Sequence, residues 1–503
     1  MKTPGIKTKG MAHQLAYLDA SFGKRNFAIF AEQGTGKSWM TLADAVRAWL
    51  VGKIDGLMIW APKGVHTNWV LRELPKHLDV PYVAYAWSGP VKTKKQKDGL
   101  ARLMAPESRT GRVLRVFTMN FEAMLQEAGR ETADAFIQGF KVIAAVDESK
   151  KIGNPDSKRT KYVIKSGRFA EARRILSGKP LTKSPMDLFS QFDFLKEGLL
   201  GTKSYRAFVA EYAVLLDPRS PKMQGLIRKM GPKAAFAQII ETDDNGNKKY
   251  KNLDRLREML QPHIYRIRKD ECLDLPPKIY VQKRFQLTDE ARKIYDNLKS
   301  EHEYVSKAHG SISLQAIAAR SKMKQVTSGF VNVYGEPELI AQDKNPRMEL
   351  FLDVVDDIEG PFIVWAIYRE EIRQIVAALT ELGLRCVEYH GGVSDKPGKD
   401  GKSDRDRAVD DLQEGRADVF VCNKAAYAGL TLTAASYSIY YSCDFDNDIR
   451  AQSEDRNHRI GTTSKVTYID IIAEDTIDED VIANLAMKDA IADHVIDGRP
   501  LTV

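Results

Sequence analysis

Cysteine is scarce. The 503-residue chain has four, Cys272, Cys386, Cys422 and Cys443, none in a CxxC pair and none beside a histidine cluster. That spacing argues against a disulfide framework and a structural zinc site, and it suits a reducing cytosol. Long apolar runs are also missing: the densest, 362–368, has the length of a strand and falls far short of a bilayer span. No apolar stretch follows the basic start MKTPGIKTKGMAHQ, so no secretory signal is expected there. Low-complexity segments and sequence repeats are absent too. A large charge excess is lacking: 76 Lys plus Arg face 68 Asp plus Glu, a net +8 that permits an anionic partner without demonstrating one. What is present, 43% apolar and 29% charged residues, is the composition of a folded globular protein. The length exceeds one core and predicts about three compact units.

Two blocks alternate short apolar runs with helical patterns, and a charged helical middle separates them. In the first block 27–31, 57–61, 114–119, 142–146 and 174–177 read as buried parallel strands, with helices such as 39–50 and 122–127 between them. From 196 to 266 the strand pattern fades, with a turn at 243–247. Leu275-Pro276-Pro277-Lys278 is a rigid break and marks a linker. Residues 288–330 read as helical. The second block has strands at 362–367, 385–389, 418–422, 437–442 and 466–472, helices at 370–382 and 404–414, and a last helix over Ile477–Ala492. The basic run 92–97 reads as a solvated loop rather than a phosphate contact.

Ala31-Glu32-Gln33-Gly34-Thr35-Gly36-Lys37-Ser38 matches a phosphate-binding loop in which Ala replaces the first Gly, with an apolar strand before it and a helix after. Its glycines let backbone N–H groups turn toward phosphate, and the helix start adds positive potential. Lys37 would neutralise the β- and γ-phosphates and Ser38 would hold Mg²⁺. Asp147-Glu148 ends the apolar run 142–146: Asp147 would hold the ion through water, and Glu148 would orient and deprotonate the attacking water. Within 452–461, Arg456 and Arg459 lie three residues apart, as on one helical face, and would supply the positive charge that the transition state needs.

Further residues extend the pattern. Asp147-Glu148-Ser149-Lys150-Lys151-Ile152-Gly153-Asn154-Pro155-Asp156-Ser157-Lys158 resembles the DEAH box and its "IKNpxSk" extension in the Swi/Snf-type branch of superfamily-two helicases. Leu176-Ser177-Gly178-Lys179-Pro180 with 187–195 is similar to "LTGTP…eLwslldFL", and 275–278 to "LPpK". Tyr389-His390-Gly391-Gly392 is similar to "yhG", 428–435 to "GlnLtaA", 452–461 to "QaxDRaHRiG" and 474–479 to "egTiEe". The likeness runs in order from Gln14 to about Glu479, and with little chain left for further modules it is similar to compact bacterial or bacteriophage members.

The resemblance implies an α/β fold of two RecA-like parallel-sheet lobes with helical insertions and a C-terminal helix. The expected boundaries are 1–195 for the first lobe, 196–265 for its insertion, 266–287 for the linker, 288–344 for the second insertion, 345–475 for the second lobe and 476–503 for a C-terminal brace. It implies ATP and Mg²⁺ as cofactors, held by Gln14 (at the adenine edge), Gln33, Gly34, Thr35, Gly36, Lys37, Ser38 and Asp147, with Glu148 as base. Arg456 and Arg459 would be the fingers, and Gln452 would lie near the γ-phosphate. DNA would touch Lys63, Asn68, Trp69, Thr118, Asn120, Lys150, Gly391 and Gly392. Lys150 stands where the family has His, Lys179 where it has Thr, Thr431 where it has Asn, and Gly153 where it has Lys or Arg. The first two positions couple ATP state to DNA grip. Arg266, Arg268 and Lys269 either brace the duplex or are solvated.

The implied function is an ATP-driven motor that translocates on double-stranded DNA. A strand-separating or branch-migrating helicase is the alternative, and a nucleotide-switched clamp without turnover a third. A membrane-free monomer is expected, in the cytoplasm of a bacterium or a phage-infected host.

Overall fold

Strands buried on both faces must be apolar without alternation, and the sequence meets that demand in two places. In the computed structural model, Asn26–Ala31 (β1), Gly56–Ala61 (β2), Tyr82–Ala86 (β3), Leu114–Asn120 (β4), Val142–Asp147 (β5), Ala172–Leu176 (β6) and Ile264–Ile267 (β7) form one seven-stranded sheet. Its order is β3-β4-β2-β5-β6-β1-β7 and every pairing is parallel. All residues of β2 and β5 are buried. The helix Lys37–Leu50 packs Met40, Leu42, Ala43 and Val46 into the core on one face of this sheet.

The second sheet has six parallel strands: Lys278–Phe285 (β8), Phe362–Trp365 (β13), Cys386–Tyr389 (β14), Val419–Cys422 (β15), Tyr437–Tyr440 (β16) and Val466–Ala473 (β17), in the order β14-β15-β13-β16-β17-β8. Between β8 and β13 come two small antiparallel hairpins, Glu303–Ser306 (β9) with Gly310–Ser313 (β10) and Phe330–Val333 (β11) with Glu336–Leu339 (β12). Two compact units result: Met1–Leu273 with Lys488–Val503, and Asp274–Met487. The described residues are 3–106, 111–231, 238–243, 247–306, 310–314, 316–340, 344–427, 430–444 and 446–501. Among them no helix is long and apolar enough to cross a membrane.

Several expectations change. Residues 266–287 are not a plain linker: Arg266 and Ile267 complete β7, and Lys278 opens β8, so each sheet gains an edge strand from this stretch. The 288–330 region is helix, hairpin, helix rather than helix throughout. Lys94–Met104 is a helix, not a loop; Thr93 caps it through its hydroxyl and Gln96 closes the capping box. The C-terminal brace 476–503 is divided between the units, although its helix does run Ile477–Ala492. Of the turn at 243–247, residues 244–246 lie outside the described residues, as do Ala428 and Gly429 of the 428–435 motif.

Candidate nucleotide site

Gly34 and Gly36 adopt φ of +84° and +90°, the left-handed region where a side chain is strained. At Gly36 a Cβ would also lie 2.1 Å from the Gln14 amide nitrogen. Ala31 needs no such freedom: it is the last residue of β1 and fully buried, which is why Ala serves in place of the first Gly. Beneath the loop, His13 Nε2 and Gln14 Nε2 both donate to the Thr35 carbonyl, at 2.8 and 3.1 Å. Gln14 Oε1 accepts the Met11 N–H at 2.9 Å and closes the cap of helix Ala12–Ser21. Gln14, expected at the adenine edge, is therefore used differently in the structure, where its amide holds the phosphate loop. Lys37 Nζ donates to the Ala31 carbonyl at 2.9 Å and lies 3.4 Å from that of Glu32. The ammonium is thus held at the loop by weak acceptors that a phosphate readily replaces.

The acidic pair sits at the end of β5, two strands from β1. Asp147 is 8% exposed, and the Trp69 indole N–H donates to its Oδ2 at 3.0 Å. Glu148 turns the chain out of the sheet at φ 51°, and its N–H donates to Asp147 Oδ1 at 3.0 Å. Lys150 Nζ lies 3.0 Å from Glu148 Oε2, with its side chain only 6% exposed. Burial, and then the adjoining Glu148 carboxylate, push the Asp147 carboxyl above its ordinary range against the pull of Trp69 and Lys37. Burial acts on Glu148 in the same sense, but the Lys150 and Lys37 ammonium groups outweigh it and hold Glu148 below its ordinary value.

A buried carboxylate with raised proton affinity is one that a cation stabilises. Asp147 and the Ser38 hydroxyl offer the oxygen donors that Mg²⁺ takes. Among the described residues no cluster of three or more Asp, Glu, His or Cys could hold a metal by itself.

One residue of this site lay within a quoted motif, 187–195, without being singled out. Gln191 is fully buried; it accepts the Ser149 hydroxyl at 2.6 Å and donates to the Pro180 and Asp187 carbonyls at 2.9 and 2.8 Å, tying the acidic turn to the 177–180 segment.

The expected DNA contacts separate into two groups. Lys63, Asn68, Gly391 and Gly392 are exposed. Asn120 is partly buried and caps the turn Phe121–Leu125 by accepting the Ala123 N–H at 2.9 Å. Trp69 and Thr118 are corrections: they are 2% and 0% exposed, with the indole on Asp147 and the Thr118 hydroxyl on the His66 carbonyl at 2.7 Å, so neither presents a donor to a phosphate outside. Lys150 is likewise turned inward, onto Glu148. Arg266 and Arg268 are engaged by partners within the first unit rather than solvated. Arg266 Nε binds Asp497 at 2.6 Å while its NH1 donates to the Phe30 and Gly178 carbonyls, and Arg268 pairs with Asp497 at 3.2 Å. Lys269 is buried, and its N–H donates to Glu32. Lys179 pairs with Asp489 at 2.9 Å.

In the second unit, helix Asn447–Asn457 carries Gln452 and Arg456. Arg459 lies beyond its end, so the two arginines do not share a helical face as their spacing suggested. They converge all the same: Arg456 NH1 and Arg459 NH1 donate to the Leu430 carbonyl at 3.1 and 3.2 Å. Thr431 accepts from Arg459 at 2.9 Å, and Gln452 donates to Asp448 at 2.7 Å. The helix is anchored by buried ion pairs, Arg450 with Asp470 and Glu454 with Lys278.

A glycine-bearing phosphate loop between a central strand and a helix, with an Asp-Glu pair on a nearby parallel strand, defines a P-loop nucleotide-binding protein with a second parallel-sheet unit. The family model "SNF2-related domain" matches residues 15–345, and "Helicase conserved C-terminal domain" matches 347–461. The chain belongs to the SNF2-related family. Human "DNA annealing helicase and endonuclease ZRANB3" is 24% identical over 72% of this chain and 30% of its own length. The "Putative ATP-dependent helicase/translocase YwqA" of Bacillus subtilis is 24% identical over 70% of this chain and 35% of its own. A Sulfolobus solfataricus SWI2/SNF2 ATPase core, solved in complex with dsDNA, aligns over 98% of this chain and 95% of its own at 19% identity and TM-score 0.40. The chain spans about a third of the length of the curated relatives it matches.

Proposed function

We propose that this chain is an ATP-driven motor that moves along double-stranded DNA. The observation that carries this reading is the division of chemistry between two units. The lysine and both acids lie in one unit, and two guanidinium groups gathered at a single carbonyl lie in the other. If the two halves meet over one ATP, hydrolysis requires both, and ATP favours that state. Lys37 binds the β- and γ-phosphates. Glu148, kept ionised by Lys150, orients the attacking water and takes its proton. Arg456 and Arg459 stabilise charge at the γ-phosphate as the bond to the leaving group breaks. Ser38 and, through water, Asp147 would hold Mg²⁺, which would supply neutralising charge to the phosphates. Loss of phosphate removes the bridging charge and releases the second unit. If grip on DNA phosphates differs between the two states, each cycle advances the protein without reading sequence.

The family supports DNA as the track, and the exposed Lys63, Asn68, Gly391 and Gly392 are the proposed contacts. The protein acts as a monomer in the cytoplasm of a bacterium or a phage-infected host. The test is ATP turnover without DNA, with single strands and with duplex, paired with triplex displacement and forked-duplex unwinding. Duplex stimulation with triplex displacement is expected. Stimulation by single strands alone, with unwinding, would make it a strand-separating helicase; no turnover under any condition would make it a clamp.

A further inference from the structure

Pro75 shapes the segment that carries Trp69. The chain runs Val65–Asn68 as α-helix, Trp69–Glu73 as a π-helical turn and Leu74–His77 as α-helix again. Pro75 has no N–H to return to the carbonyl of Leu71, and its ring crowds that carbonyl, so the turn before it widens. From this one widened turn, the Trp69 side chain reaches the nucleotide site. The Trp69 indole donates to Asp147 Oδ2 at 3.0 Å.

The first turn of that segment has the opposite character. Lys63, Gly64 and Asn68 are exposed, and Asn68 is the residue immediately before Trp69. The buried side is pinned twice: Thr118 Oγ1 donates to the His66 carbonyl at 2.7 Å, and His66 Nε2 donates to the Trp87 carbonyl at 3.0 Å. A shift of the exposed turn has little freedom to dissipate elsewhere. It changes the length and angle of the Trp69–Asp147 hydrogen bond, whose strength falls steeply with misalignment.

We propose that Trp69 is a positioning residue that joins the exposed 63–68 turn, where a duplex phosphate docks, to the Asp147 carboxylate, so that docking resets the site for Mg²⁺ and ATP. The identity of the ligand at the turn rests on the motor reading above; the link from Trp69 to Asp147 does not. The indole fixes which way the carboxylate faces and which oxygen it leaves for the ion's water. Without that N–H, Asp147 is held only through Oδ1, by the Glu148 N–H.

The test uses the full chain and the substitution Trp69→Phe, which keeps a ring in the core and removes only the donor. Binding of a fluorescent non-hydrolysable ATP analogue is measured with MgCl₂ and with EDTA, alongside duplex binding and ATP turnover with and without duplex. In W69F, affinity in EDTA and affinity for duplex should stay as in the wild type. The gain in nucleotide affinity on adding Mg²⁺ should fall by about tenfold, the scale of one hydrogen bond to a charged acceptor, and duplex stimulation should fall with it. A second variant, K63A/N68A, alters only the exposed turn. In the wild type, duplex should change the Mg²⁺ gain; in K63A/N68A it should not. An unchanged Mg²⁺ gain in W69F, or a duplex effect on that gain that persists in K63A/N68A, would overturn the proposal. A wild type that no duplex stimulates would sink the motor reading, while the Mg²⁺ comparison would still decide whether Trp69 positions Asp147.

Discussion

Arg456 and Arg459 meet at one atom, the carbonyl oxygen of Leu430, although only the first of them lies in a helix. Two like charges brought together on a neutral acceptor repel each other, and an incoming γ-phosphate relieves that repulsion. R456A and R459A should each lower kcat by roughly 10³ or more, in the range of a lost arginine finger, while nucleotide affinity changes little. Phosphate release and equilibrium nucleotide binding, measured on the same preparations, separate the two effects. Loss of binding alone would mean that these groups hold ground-state nucleotide instead.

Lys37 and Glu148 should fail differently. K37A removes the cation that meets the phosphates, so both binding and turnover should drop. E148Q removes the base but keeps the shape, so turnover should vanish while ATP still binds. Hydrolysis retained in E148Q would assign the base elsewhere.

Glu454 makes the second unit acid-sensitive. Burial would raise its proton affinity, but Lys278 and Arg450, each 2.8 Å away, bring it down to about 2. A carboxyl whose folded value lies below its unfolded value of about 4.3 stabilises the fold above that unfolded value. The contribution is lost as pH falls from about 5 toward 2. Urea melts across that window should show stability declining in the wild type, with a shallower decline in E454Q. At neutral pH, E454Q should be destabilised by roughly 3–5 kcal/mol, the cost of breaking a buried pair.

Arg266 ties the C-terminal segment to the nucleotide strand. It binds Asp497 and Glu32 as well as two carbonyls, one of them on β1. R266A and D497N should each lower the melting temperature, with R266A costing roughly 2–4 kcal/mol, and R266A should also raise KM for ATP. Thermal melts and initial-rate kinetics check both. A change in melting without any change in KM would confine the clasp to stability.

Legibility in the sequence followed sheet position. Interior strands such as β2 and β5 are apolar on both faces and stood out at once. In the two large sheets the three that were missed, β3, β7 and β8, are all edge strands. An edge strand faces solvent on one side, and Lys278, Lys283 and Arg284 in β8 or Arg266 in β7 break the apolar pattern by which the others were recognised. At the site, Lys37, Asp147 and Glu148 were readable because loop chemistry is local. The bond from Trp69 to Asp147 spans 78 positions, and no spacing rule reaches that far. Thr118 and Trp69 were assigned outward for the same reason: type and position were visible, burial was not. The convergence of Arg456 and Arg459 was foreseen for the wrong cause, since a carbonyl gathers them and helical periodicity does not.

The chain leaves the first sheet after β6 and re-enters it as β7, and these two strands flank β1 on either side. The long excursion between them is therefore a handle fastened at both margins of the strand that ends in the phosphate loop. Any tension on that handle reaches β1 through backbone pairings on both of its sides. The span can also grow or shrink without changing what lies beside it.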